Sequence, residues 1–164
     1  YMGLHLLERE KRACGGQPDP KPKFEGHEYI LGRQLKPEAR TDIIERLAEA
    51  GIVPTSMIDI TDGLASETLH LCKSSGCGAR IYLDRLPIAR QTHDMAEELH
   101  ADPVVAALNG GQDYELLFTV PLSKQQEIFA LGVDVIGHVT AAGTGAMLVT
   151  PDGSEIALKA PGWK

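Results

Sequence analysis

One nine-residue stretch constrains this chain more than any other: Ser56-Met57-Ile58-Asp59-Ile60-Thr61-Asp62-Gly63-Leu64. Its apolar start reads as a short strand over residues 56–60. The pattern after Gly63 reads as a helix to about Ser75, with Leu64, Thr68, Leu71 and Cys72 facing inward and Gly76 closing it. A strand that runs straight into a helix gathers two carboxylates and a hydroxyl at one junction. Side chains two apart along a strand share a face, so Asp59 and Thr61 are expected to point the same way. Asp62 is expected at the N-cap of the helix. Two hard oxygen anions at a helix mouth suit Mg²⁺, and the free N–H groups of the first turn suit an anion. Asp-Gly after a strand is also ordinary turn chemistry, and an N-cap aspartate needs no ligand. The junction alone leaves both readings open.

A second segment adds to it: Ala107-Leu108-Asn109-Gly110-Gly111-Gln112-Asp113-Tyr114-Glu115-Leu116-Leu117-Phe118-Thr119-Val120-Pro121. Paired glycines permit a flexible turn and close approach of the backbone to a ligand. The apolar run from Tyr114 to Val120 reads as a buried strand with Gln112 and Asp113 at its mouth. Taken in order, the two segments resemble the thiamine-monophosphate kinase family of the aminoimidazole-ribonucleotide-synthase-like superfamily. That family carries approximately D-I-S-D-G-L followed by S-G-G-E-D-Y-E-L-L-F-T-V-P. The resemblance continues through Ser75-Gly76-Cys77-Gly78-Ala79, Leu86-Pro87, Ile136-Gly137 and Gly162-Trp163. It implies an α+β fold, a mixed β-sheet with flanking helices, as in the C-terminal domain of that superfamily.

The chain of 164 residues is long enough for one domain with a proper core. It opens at Tyr1 in a helical pattern and is read as a piece of a longer protein; the resemblance implies that residues 1–27 are the end of a missing N-terminal ATP-binding domain plus a Pro/Gly-rich linker. Residues 28–164 are read as the synthase-like domain. Net charge is −7, which argues against a basic nucleic-acid-binding patch. No apolar run approaches the length of a bilayer span and no signal peptide is evident, so a cytoplasmic location is expected. Cys14, Cys72 and Cys77 leave at least one thiol unpaired and form no C-x-x-C, consistent with reduced thiols. His70 and Cys72 stand two apart on a helix and point apart, so they do not make a zinc site with Cys77.

Further elements follow from pattern. Residues 1–12 read as a helix, and Gly15 to Lys23 as a linker that cannot sustain helix or central strand. A helix is expected from Pro37 to Ala50, with Pro37 in its first turn, a stripe of Ile43, Ile44, Leu47 and Ala48, and Gly51 ending it. Ala79–Leu83 reads as a strand, and helical pieces are expected near 91–99 and 102–108. Ser123 is expected to cap a helix to Leu131, and Val133 to Val139 to form a strand. Met147–Thr150 and Glu155–Leu158 are joined by Pro151-Asp152-Gly153-Ser154, a hairpin signal.

The resemblance also implies roles. Family members pass a phosphoryl group from ATP to thiamine phosphate, giving ADP and thiamine diphosphate. Such chemistry relies on positioning and charge neutralisation rather than a protein nucleophile. Asp59 and Asp62 resemble Mg²⁺ ligands, and Thr61 stands where a serine usually meets the nucleotide. Gln112 replaces the glutamate associated with thiamine-phosphate binding, keeping an acceptor oxygen but losing the charge. Trp163 occupies the place of a C-terminal aromatic that contacts substrate. Partners implied are ATP, thiamine phosphate, the missing domain and a second copy in a homodimer. The fragment alone is expected to be inactive. Rival readings are another ATP-dependent synthase of the superfamily or a non-catalytic binding or assembly module.

Overall fold

Strand-forming segments of this chain settle into two sheets rather than one. The computed structural model describes residues 1–15 and 21–160. Its elements are α1 (Met2–Cys14), α2 (Glu28–Leu35), α3 (Thr41–Glu49), β1 (Ser56–Asp59), α4 (Leu64–Ser75), β2 (Gly78–Tyr82), α5 (Arg90–Leu99), α6 (Pro103–Asn109), β3 (Leu116–Thr119), α7 (Gln125–Ala130), β4 (Gly137–Thr140), β5 (Ala146–Val149) and β6 (Glu155–Ala157). β1 and β3 form an antiparallel ribbon, with Ser56 opposite Thr119 and Asp59 opposite Leu116. The other sheet runs β4-β2-β5-β6. β2 is parallel to β5 but antiparallel to β4, and β5–β6 is the expected hairpin. The expected mixed sheet with flanking helices is therefore present.

Three apolar clusters hold these layers together. Ile60, Leu64, Ala65, Ile81, Leu108 and Leu148 pack α4 and α6 against the four-stranded sheet. Met2, Leu6, Ile30, Met95 and Ala106 join α1, α2, α5 and α6. Leu6 is fully buried, worth about 1.5–3 kcal/mol for a side chain of that type. Gly3 lets α1 lie against α2, because a Cβ there would come within 2.5 Å of the Gln34 Cβ. Ile43, Leu47, Ile52 and Ile128 form the third cluster beneath the β1–β3 ribbon. Among the described residues no helix is long and apolar enough to cross a membrane.

Several expectations need correction. α3 starts at Thr41, not Pro37, because Arg40 takes non-helical torsions (φ −78°, ψ 52°) while its guanidinium spans Asp42 and Glu115. Only Ile43 and Leu47 of the expected stripe are buried; Ile44 is 45% exposed. α2 was not anticipated, its single buried residue being Ile30. Val133 and Val135 turn into the third cluster instead of extending β4, which begins at Gly137. A Cβ on Gly137 would sit 2.0 Å from the Arg80 carbonyl oxygen, so glycine sets that crossing. Ser123 lies within a short 3-10 turn, Leu122–Lys124, and does not cap α7.

Candidate functional site

The junction between β1 and α4 is built by main-chain contacts with the Gly110-Gly111 segment. The Ile60 N–H donates to the Glu115 carbonyl at 2.8 Å, and the Tyr114 N–H returns to the Ile60 carbonyl at 2.9 Å. Beyond them the Gln112 N–H donates to the Thr61 carbonyl at 2.6 Å. Two glycines make this approach possible. A Cβ on Gly63 (φ 111°) would meet the Leu108 carbonyl oxygen at 2.6 Å, and one on Gly111 (φ 70°) the Thr61 carbonyl oxygen at 2.5 Å. The two segments singled out in sequence are thus clasped backbone to backbone.

The strand ends at Asp59, so its alternation does not carry on to Thr61. Asp59 and Asp62 are both exposed, and neither carboxylate has a hydrogen bond or ion pair among the described residues. Asp62 is not the N-cap of α4. Gly63 holds that position, and no side chain caps the helix. Glu67 restrains the turn instead. This carboxylate, 3% exposed, accepts the Asp62 N–H at 2.9 Å and the Thr61 hydroxyl at 3.4 Å. A carboxylate is rarely buried without such partners.

At the other wall, Gln112 and Tyr114 hold left-handed torsions (φ 58° and 53°) that a non-glycine residue adopts at a cost of about 1–2 kcal/mol each. Tyr114 therefore stands outside the strand assigned to it by sequence, and β3 starts at Leu116. The Gln112 side-chain oxygen accepts from the Gln34 amide at 3.2 Å. Arg33 donates to the Asp113 carbonyl at 2.5 Å and to the Glu115 carboxylate at 2.9 Å, and Arg40 binds the same carboxylate. Burial pushes the Asp113 carboxyl up to about 6, against the opposing pull of Arg33. A cleft of about 1330 Å³ is lined by Gln112, Asp113, Glu115, Leu64, Leu117 and Ile136 among others; Asp59, Thr61 and Asp62 do not line it.

Two free carboxylates at one turn are donors of the kind Mg²⁺ takes, since this ion usually binds one or two carboxylates and completes its shell with water and phosphate. Among the described residues no group of three His, Cys, Asp or Glu side chains gathers to hold a metal. The junction fits part of a Mg²⁺ site, with Asp59 and Asp62 as the donors. Trp163 lies outside the described residues. Sequence reasoning missed Glu67, Arg33, Arg40 and Glu115. Only Glu67 left a signal there, an acid four residues after the helix-opening glycine, near the spacing of a capping box.

Comparison with known proteins places these features in context. A family model described as AIR synthase related protein, C-terminal domain, matches residues 3–150. A thiamine-monophosphate kinase of Aquifex aeolicus (strain VF5) is 32% identical over 163 residues, covering 99% of this chain and 46% of the relative. The Escherichia coli (strain K12) thiamine-monophosphate kinase is 38% identical over 146 residues, covering 84% and 41%. The chain thus spans a little under half the length of these relatives. The solved structure of AaThiL complexed with AMPPCP and TMP superposes with a TM-score of 0.75 at 31% identity, covering 99% of this chain and 46% of that one. E. coli HypE, a hydrogenase maturation protein, superposes at 0.61 with 24% identity, covering 75% and 40%, a likeness of fold alone.

Proposed function

The chain belongs to the AIR synthase related protein family, matching its C-terminal domain, and from that premise we propose that it forms the C-terminal half of an ATP-dependent thiamine-phosphate kinase. The observation that carries this reading is the clasp between Ile60-Thr61-Asp62 and Gly111-Gln112, which joins the segment bearing Asp59 and Asp62, exposed and unpaired among the described residues, to the Gln112 loop. In the proposed reaction the terminal phosphoryl group of ATP passes in line to the phosphate of thiamine phosphate. Asp59 and Asp62 would hold Mg²⁺, which supplies charge neutralisation between the two anionic reactants. Glu67 fixes the Asp62 peptide so that this carboxylate leaves the turn in one direction. Thr61 would offer its hydroxyl to the nucleotide, and Gln112 and Trp163 would meet thiamine phosphate.

The remaining donors belong, on this reading, to an N-terminal ATP-binding domain carried by the rest of a longer protein, the relatives being about twice the length of this chain. α1, packed on α2 and α5, then serves as the joint between the two domains. A cytoplasmic homodimer, with no nucleic-acid or membrane partner, completes the proposal. The test is ADP release by a full-length protein carrying this chain, supplied with ATP, Mg²⁺ and thiamine phosphate. Turnover should require thiamine phosphate and vanish in an Asp59→Ala/Asp62→Ala double variant, while the 164-residue chain alone shows none. Full turnover by the double variant would overturn the assignment of the junction.

A further inference from the structure

We propose that Cys72 and Cys77 form a dithiol modification site that small disulfide oxidants of the glutathione class convert to an intramolecular disulfide. The inference is independent of the kinase reading. It begins with the way α4 ends. Gly76 takes the left-handed conformation (φ 61°), and the Cys77 N–H folds back to the Cys72 carbonyl at 3.0 Å. This closure from the sixth residue to the first is the Schellman ending of a helix, a motif in which the side chains at those two positions frequently meet. Apolar residues usually occupy the pair; here both are cysteines, tied to each other by that main-chain bond. Both are half-buried and both line the cleft described above, so a small molecule has a route to them. The third cysteine, Cys14, lies on α1 and does not line that cleft.

The Cys77 thiolate attacks one sulfur of the oxidised disulfide and expels one thiolate, leaving a mixed disulfide. Cys72 gives up its proton and attacks the Cys77 sulfur, expelling the second thiolate. Two protein thiols become one disulfide, and one small disulfide becomes two thiols. Burial raises the Cys72 thiol, which leaves the first attack to Cys77; the mixed disulfide then holds the target sulfur beside Cys72 for the second. The 3.0 Å main-chain bond holds the two residues together in the folded helix end, so little main-chain movement is needed to close the disulfide. The product would tie the last turn of α4 to the entry of β2.

The experiment uses the whole chain with Cys14→Ser, equilibrated in glutathione buffers of graded oxidised-to-reduced ratio, then trapped by alkylation. Trypsin cuts after Lys73, between the two cysteines. Peptides 47–73 and 74–80 therefore stay joined only if the disulfide has formed. The native chain should reach half-oxidation at a ratio about tenfold more reducing than the same chain in concentrated urea, because the folded helix end preorganises the pair. The same midpoint in both states would overturn the proposal. So would free thiols at every ratio, or disulfides found only between chains.

Discussion

Gly111→Ala tests whether the clasp between the two motif segments is as tight as its geometry implies. Two costs add. Gly111 holds φ +70°, a region that costs an L-residue about 1–2 kcal/mol. The new Cβ would also stand 2.5 Å from the Thr61 carbonyl oxygen and 3.2 Å from the Asp62 carbonyl carbon. These are main-chain atoms, and the Thr61 carbonyl is already fixed by the Gln112 N–H at 2.6 Å. Relieving such overpacking costs about 1–3 kcal/mol, so about 3 kcal/mol in all is expected. Gly51→Ala is the control: its φ of +63° is similar, yet nothing lies within 4 Å of the added Cβ, so only about 1 kcal/mol is expected. Urea denaturation separates them. With a slope of about 2 kcal/mol per molar, the midpoint should fall by about 1.5 M for Gly111→Ala and about 0.5 M for Gly51→Ala. Equal falls would show that the segments are loosely apposed, and the argument for a built junction would fail.

Other outcomes follow from the same geometry. Glu67→Ala should cost about 2–3 kcal/mol in chemical denaturation by removing the acceptor of the Asp62 N–H, with Glu67→Gln recovering part of it; a loss under half a kcal/mol would place the restraint elsewhere. The Asp113 carboxyl, raised to about 6 when folded from 3.8, binds its proton more tightly in the native state. Its destabilising contribution is therefore absent below about pH 4, grows between pH 4 and 6 and is complete above, about 3 kcal/mol at most. Asp113→Asn should stabilise the chain at pH 7.5 and leave it unchanged at pH 4, as read from urea midpoints at the two pH values. In a full-length protein, Gln112→Glu should tighten thiamine-phosphate binding about fivefold, about 1 kcal/mol for one restored charge contact, measured by calorimetry.

The sequence made the elements around the junction legible because their signals are local. Asp102-Pro103 reads as a helix start, and Asp102 does cap α6, accepting the Val104 N–H at 2.8 Å. Pro151-Asp152-Gly153-Ser154 reads as a turn, and β5 pairs with β6 across it. Failures arose where a distant partner decided the outcome. Pro37 is a good first-turn residue, but Arg40 is held by Glu115 from 75 residues away, and the helix waits until Thr41. Val133 and Val135 have the composition of a strand, but α3 and α7 offer them an apolar surface. α2 gave too weak a stripe to be read, since its polar face is engaged by long-range bonds such as Arg33 to Asp113.

The site divides in the same way, and the division bears on what the junction is for. Asp59, Asp62 and the paired glycines stood out because their types and order are unusual. The groups that hold them, Glu67 beneath the turn and Arg33 with Arg40 on Glu115, carry no such mark, because their partners are set by the fold. Restraint is concentrated at one place. Gln112 and Tyr114 keep left-handed torsions, Gly63 and Gly111 admit main-chain atoms closer than any Cβ allows, and a buried carboxylate fixes the Asp62 peptide. Together the two torsions alone cost about 2–4 kcal/mol, a large share of the stability a domain retains. A connection needed only to join α6 to β3 would not require them. Asp59 and Asp62, the acids at the centre of this restraint, are left without partners among the described residues. Strained backbone clusters at ligand sites, and here it lies beside two exposed acids. It makes Asp59 and Asp62 the first residues to substitute when the activity is tested.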